Sequence, residues 1–191
     1  MKFRGLFLAL LVLAALTGAL YWSNRSSSAK TPDTAPSPSP KILALNQDDI
    51  TKVEIKKKGS NDVVLAKEGS GSWRITAPQQ LGVDSVAVSS MIATLSPLTA
   101  DRVIDEKATD LQPYGLAPPS LELVVTTKAN QSQRLLIGDE TPSHNGAYAA
   151  VAGQPQVYTI ASYTKSGLDK GLNDLRDKKS SEPQPSHSPK P

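Results

Sequence analysis

The sequence predicts an α+β fold: an antiparallel β-rich domain with two strands-then-helix halves, preceded by one N-terminal transmembrane helix. Three observations carry this. Gly5 to Asn24 contains no charged side chain and is dominated by Leu, Ala and Val. Past residue 42, apolar and polar residues mostly alternate, the period of a strand with one buried face. Twice, over Val83–Leu95 and Tyr163–Arg176, the apolar spacing changes to three and four, the period of an amphipathic helix.

The apolar run comes first. Twenty helical residues span roughly 30 Å, the thickness of a bilayer's hydrocarbon core. Residues 1–4 carry Lys2 and Arg4 and are expected on the cytoplasmic side; Arg25 and Lys30 beyond the run make that bias modest. Tyr21 and Trp22 suit the membrane–water interface. The rival reading is a cleaved signal peptide, cut at Thr17-Gly18-Ala19 or Ser27-Ser28-Ala29. The length of the run favours a retained anchor over residues 5–24. The chain has no Cys, which excludes a cysteine-borne lipid anchor and any disulfide.

Residues 25–41 read as a Pro/Ser-rich linker. Pro32, Pro36, Pro38 and Pro40 oppose both helix and sheet ladder, so Ser26–Pro40 forms an extended spacer of at most about 45 Å. Residues 179–191 have the same composition and are expected to be a disordered tail. These two segments hold eight of the fifteen prolines, leaving residues 42–178 as one domain of ordinary size.

Within that domain, Ile50–Lys56 places Val53 and Ile55 on one face and charged residues on the other. Val63–Lys67 is a second strand, joined through the turn-rich Lys57–Asp62. Ser72–Ile75 is a third, with Trp73 and Ile75 on one side, and Pro78 stops it. Val83, Val86, Val88, Met91, Ile92 and Leu95 then mark a helix, with Asp84 as its N-cap and Pro97 just beyond its end. Asp101–Asp105 is a short strand, and Leu111–Pro119 is a loop. Strands over Leu121–Thr127, Gln133–Ile137, Ala147–Val151 and Gln156–Ile160 follow. A closing helix over Tyr163–Arg176 carries Leu168, Leu172 and Leu175 on one stripe.

Several short motifs in fixed order resemble a bacterial family known as domain of unknown function 4340. They are Trp73-Arg74-Ile75 with Pro78; the stretch Leu95 to Val103 (LSPLTADRV); Tyr114-Gly115-Leu116 with Pro118-Pro119; Ile137 to Pro142 (IGDETP) with Tyr148; and Val157-Tyr158-Thr159-Ile160. The likeness runs from about Ile42 to Lys178. It implies a membrane-anchored extracytoplasmic α+β domain of the kind associated with transporter-like or envelope systems, and it implies no catalytic residues.

The residues with site chemistry each have a plainer reading. Trp73 is either a stacking platform for a ligand or a core residue alternating with Ile75, and the core reading is preferred. Tyr114 and Gly115 either shape a binding loop or turn the chain, Gly115 supplying a positive φ. Asp139, Glu140 and His144 lie in the most polar loop of the domain, Gly138–Gly146. Metal binding requires three or four converging ligands, and the remaining histidine, His187, is in the tail. The simpler reading is a hairpin in which Asp139 and Thr141 bond backbone amides and Asn145-Gly146 makes the turn. Ser143 beside His144 lacks a nucleophile-elbow context, and Gly69-Ser70-Gly71 lacks the rest of a phosphate loop. Lys56-Lys57-Lys58 reads as a solvated strand end, and a net charge of +3 gives no case for nucleic acid. Asn24-Arg25-Ser26 and Asn130-Gln131-Ser132 match the glycosylation pattern, which has meaning only in a eukaryotic secretory route.

The expected function is therefore a non-enzymatic interaction domain without a cofactor or metal. It is tethered to a bacterial inner membrane, with a protein partner in an envelope or transporter-type complex. Its possible ligand or partner surface comprises Trp73, Tyr114, Gly115, Asp139, Thr141, His144 and Tyr148. The alternative is a periplasmic small-ligand or polysaccharide-binding domain, with Trp73, Tyr114, Tyr148 or Tyr158 lining a groove. A hydrolase using Asp139, Glu140 and His144 is the weakest reading.

Overall fold

A computed structural model describes residues 39–178. The expected anchor, the linker up to residue 38 and the tail lie outside the described residues. Ten strands are present among the described residues: β1 (Lys41–Leu43), β2 (Ile50–Lys57), β3 (Val63–Lys67), β4 (Trp73–Ala77), β5 (Leu98–Thr99), β6 (Arg102–Asp105), β7 (Leu121–Thr127), β8 (Ser132–Glu140), β9 (Gly146–Val151) and β10 (Val157–Ala161). The helices are α1 (Ser85–Leu95), α2 (Ser162–Leu168) and α3 (Leu172–Leu175). No helix among the described residues is long and apolar enough to cross a membrane.

Eight strands form one antiparallel sheet in the order β4-β3-β2-β7-β8-β9-β10-β6. The chain runs strands-then-helix twice, but the two runs share this sheet: β2 pairs with β7 along its length, from Ile50↔Thr127 to Lys57↔Leu121. β1 and β5 form a separate two-stranded sheet that short-range pattern reading missed, because neither strand exceeds three residues. Lys41 pairs with Thr99 there and the Ala100 amide bonds the Pro40 carbonyl (2.7 Å), so the last two residues of the expected linker belong to the fold.

The alternation seen in the sequence decides the layering. Val53 and Ile55, Leu121, Leu123 and Val125, and Leu135 and Ile137 face the helices and are buried. Val88, Met91, Ile92 and Leu95 of α1 lie in the same core, with Leu168 and Leu175. Each such side chain contributes roughly 1.5–3 kcal/mol by leaving water. α1 starts at its expected cap: the Asp84 carboxylate accepts from the amides of Val86 (3.0 Å) and Ala87 (3.1 Å). Two residues of the expected stripe stay outside the core. Val83 precedes the helix and bridges to Arg176, and Val86 points outward, 77% exposed.

The closing helix is broken rather than continuous. α2 ends at Leu168, and Asp169 leaves the helix to pair with Lys57 (2.7 Å). Gly171, a weak helix former, then caps α3 in extended conformation, its amide bonded to Asp174 (2.9 Å). The break lets Leu168 and Leu175 both reach the core.

The two sheet edges differ. Outside β4, Leu81 folds back and exchanges both backbone bonds with Ile75 at 3.1 Å, which covers the middle of that edge. β6 forms the other edge, as expected for Asp101–Asp105, and no described strand pairs with its outer side.

Candidate functional site

On the sheet face away from the helices, the β8–β9–β10 end is covered by the chain between β6 and β7. Two carboxylates shape this cover: Asp105 accepts from the Lys107 amide (2.9 Å) and Asp110 from the Gln112 amide (2.9 Å). A 3-10 turn over Gln112–Tyr114 follows, ending at Gly115 with φ +64°, the positive value the sequence led us to expect. The turn lowers Leu116 onto Ala150 and Val157, forming a second, smaller apolar cluster.

Two glycines allow the cover to sit this low. A Cβ on Gly138 would meet the Tyr114 carbonyl oxygen and come within 2.8 Å of the Gly115 carbonyl. A Cβ on Gly115 would meet the Asp139 carboxylate. The contact coincides with a register shift between Ile137 and Glu140 in the β8–β9 pairing. Above it, the Tyr114 and Tyr148 rings meet edge-to-face at 5.2 Å, and the Tyr114 hydroxyl donates to Asp105 Oδ2 (3.3 Å). Partial burial, and secondly the Asp105 carboxylate, hold the Tyr114 phenol above its ordinary pKa.

The β8–β9 turn corrects part of the expected hairpin. The His144 amide bonds the Thr141 carbonyl (2.8 Å), so Pro142-Ser143 forms the turn and His144 takes the positive φ of +55°. Asn145-Gly146 does not make the turn. Gly146 serves a different need: a Cβ there would lie 2.5 Å from the Ile160 carbonyl oxygen. Thr141 is buried and its hydroxyl faces acceptors, Asn145 Oδ1 (3.4 Å) and the Gly146 carbonyl (3.3 Å), rather than backbone amides. The Ser143 hydroxyl bonds Asn145 Oδ1 (2.6 Å), not His144.

The acidic residues of this loop diverge. Asp139 lies against Gly115, while Glu140 faces His144 (3.5 Å) and Lys165 (3.6 Å) in solvent. Among the described residues, no group of three or more His, Asp or Glu side chains is placed to hold a metal ion.

Six of the seven candidate residues thus gather at one end of the sheet. Trp73 does not join them. It stands on β4 at the opposite edge, half-buried against the main core, with the Lys67 ammonium 6.0 Å over its ring. Tyr158 is also removed from any aromatic groove, because it is buried on the helix-facing side. Of the aromatic residues expected to line a groove, strand order separates Trp73 and strand alternation turns Tyr158 inward, leaving Tyr114 and Tyr148 together.

Beside Tyr148, a groove of about 300 Å³ opens between β6, β10 and the 141–146 turn, lined by Arg102, Thr141, Ser143, Asn145, Tyr148 and Thr159. Thr159 is buried and its hydroxyl has no hydrogen-bond partner among the described residues. Arg102, Asn145 and Thr159 are not among the site residues expected from the sequence, where a threonine inside an apolar strand carries no mark of its isolation. Val103 and Ile104 on β6 are 37% and 41% exposed. A larger depression of about 450 Å³, at the β2–β3 turn and α3, includes none of the candidate residues.

A family model described as domain of unknown function (DUF4340) matches residues 73–187. The match begins at β4, so β1, β2 and β3 lie outside it, although β4 reaches β7 only through β3 and β2. No curated protein and no solved structure matches the chain.

Proposed function

The chain belongs to the domain of unknown function 4340 family, and on that premise we propose that it is a membrane-tethered extracytoplasmic interaction domain. In this reading it is a non-catalytic accessory component of a bacterial envelope or transporter-type complex. Residues 5–24 cross the inner membrane once, the N-terminus is cytoplasmic, and the folded domain stands in the periplasm on its proline-rich spacer. The observation that supports a docking role is β6. It is an edge strand with two exposed apolar side chains, whereas the opposite edge is covered at its middle by Leu81. An open edge offers a ladder of backbone donors and acceptors to an incoming strand. The test is gentle detergent extraction from the native host with crosslinking. Recovery in a complex with another envelope protein is expected, and recovery as monomer alone overturns the reading.

A second reading, a periplasmic small-ligand or polysaccharide binder, draws on the groove beside Tyr148 with its hydroxyl and amide lining. Titration of Tyr148→Ala and the unaltered chain against cell-envelope oligosaccharides separates the two: unaltered affinity, or none in either, rejects this reading.

A further inference from the structure

Besides Asp105, whose carboxylate accepts from the Lys107 amide and the Tyr114 hydroxyl, four charged side chains bracket the exposed pair on β6: Asp101, Arg102, Glu106 and Lys107. None of the four has an ion-pair partner among the described residues. Several charges elsewhere on the domain are answered, Lys52 by Glu54, Lys57 by Asp169, Arg74 by Glu68 and Arg134 by Glu122. Ile104, at their centre, is also the β6 residue without a Cα partner on β10, because the register shifts there between Val157↔Asp105 and Tyr158↔Val103.

We propose that this edge is the contact surface for a second copy of the same chain, the two β6 strands pairing antiparallel about a two-fold axis at Ile104. The proposal rests on the reading of β6 as a docking edge and names its occupant. A two-fold axis normal to a sheet sets one residue opposite its own copy, and sets each neighbour opposite the residue equally far on the other side. About Ile104, Val103 faces Asp105 of the second copy and Arg102 faces its Glu106, each pair occurring twice; Asp101 and Lys107 lie at the bends beyond β6 and add no ladder pair. The neighbouring registers fail on charge. Centring on Val103 opposes Asp101 to Asp105, and centring on Arg102 or Asp105 opposes a charge to itself. Like charges directly opposite destabilise a ladder, and unlike charges support it. Flanking charges and a bulge keep an edge strand from pairing indiscriminately. The strand such an edge still admits is one whose charges answer its own, and this chain carries that strand.

The absence of cysteine makes the axis testable. Opposed Cα atoms in an antiparallel pair lie about 4.5–5.5 Å apart, within the span of a disulfide. Full-length Ile104→Cys in mild detergent should therefore oxidise to a covalent dimer, while Val86→Cys, exposed on α1, should not. Adding Arg102→Glu should lower the dimer yield about tenfold, and the double reversal Arg102→Glu/Glu106→Arg should restore it. Monomer from Ile104→Cys, equal dimer from Val86→Cys, or no rescue by the double reversal overturns the second-copy assignment. A complex with another envelope protein but no homodimer overturns this assignment alone. A homodimer with no other partner overturns the accessory-component reading alone.

Discussion

The backbone carbonyl of Tyr114 occupies the space that a Cβ on Gly138 would need. Two motifs about twenty residues apart in sequence are therefore one contact: the Tyr114-Gly115-Leu116 loop rests on the Gly138-Asp139 irregularity of β8. This seats Leu116 over Ala150 and Val157 and sets Tyr114 against Tyr148 beside the groove.

Gly138→Ala should lower stability by about 1–3 kcal/mol, because backbone on the facing loop has to move. Gly69→Ala, where an added Cβ meets nothing within 4 Å and φ is not positive, is the comparison and should change little. Urea midpoints of the two variants decide the matter. Equal midpoints would mean that the loop is not held by this contact.

Tyr114 makes stability depend on alkaline pH. Its folded pKa is raised above the unfolded value of about 10, so the folded state retains a proton that the unfolded state gives up. The contribution is fully present below the unfolded pKa and is lost as pH rises from there through the folded pKa. Urea midpoints should fall between pH 9 and 11 by less in Tyr114→Phe than in the unaltered chain, at about pH 9 to 11 as bounded by the phenol range. Parallel profiles would reject this origin.

Asp84 bonds two amides that the first turn of α1 cannot otherwise satisfy. Asp84→Ala should cost about 1 kcal/mol, with Asp84→Asn recovering most of it. Thermal melts of the three proteins provide the comparison.

Thr159→Val replaces a buried hydroxyl that has no partner among the described residues by a methyl group of similar shape. Removing an unsatisfied polar group should raise stability by about 1 kcal/mol or more. A loss of stability instead would show that the hydroxyl has a partner in solution.

Much of the fold was legible along the chain. β3 and β7 have the bounds expected from alternation, Asp84 caps α1 as read, Gly115 has its positive φ, and β6 is an edge strand. The features that escaped have a common cause: each depends on residues distant in sequence. β1 and β5 are defined by each other across more than fifty residues. The closing helix breaks where Asp169 meets Lys57 of β2. The 138–146 loop joins a hairpin as its pattern predicts, but the turn falls at Pro142-Ser143 rather than Asn145-Gly146, and Gly146 lies where Ile160 passes.

The candidate site divides the same way. Residue chemistry alone marked Tyr114, Gly115, Asp139, Thr141, His144 and Tyr148, which the structure brings to one end of the sheet, and it marked Trp73, which the strand order places at the other. Local physics, the period of apolar residues and the demands of caps and positive φ, acts over a few residues and can be read from sequence. Strand order, the isolation of the Thr159 hydroxyl and the unanswered charges around Ile104 are properties of neighbours. Neighbours exist only once β6 has paired with β10 and left its outer edge open.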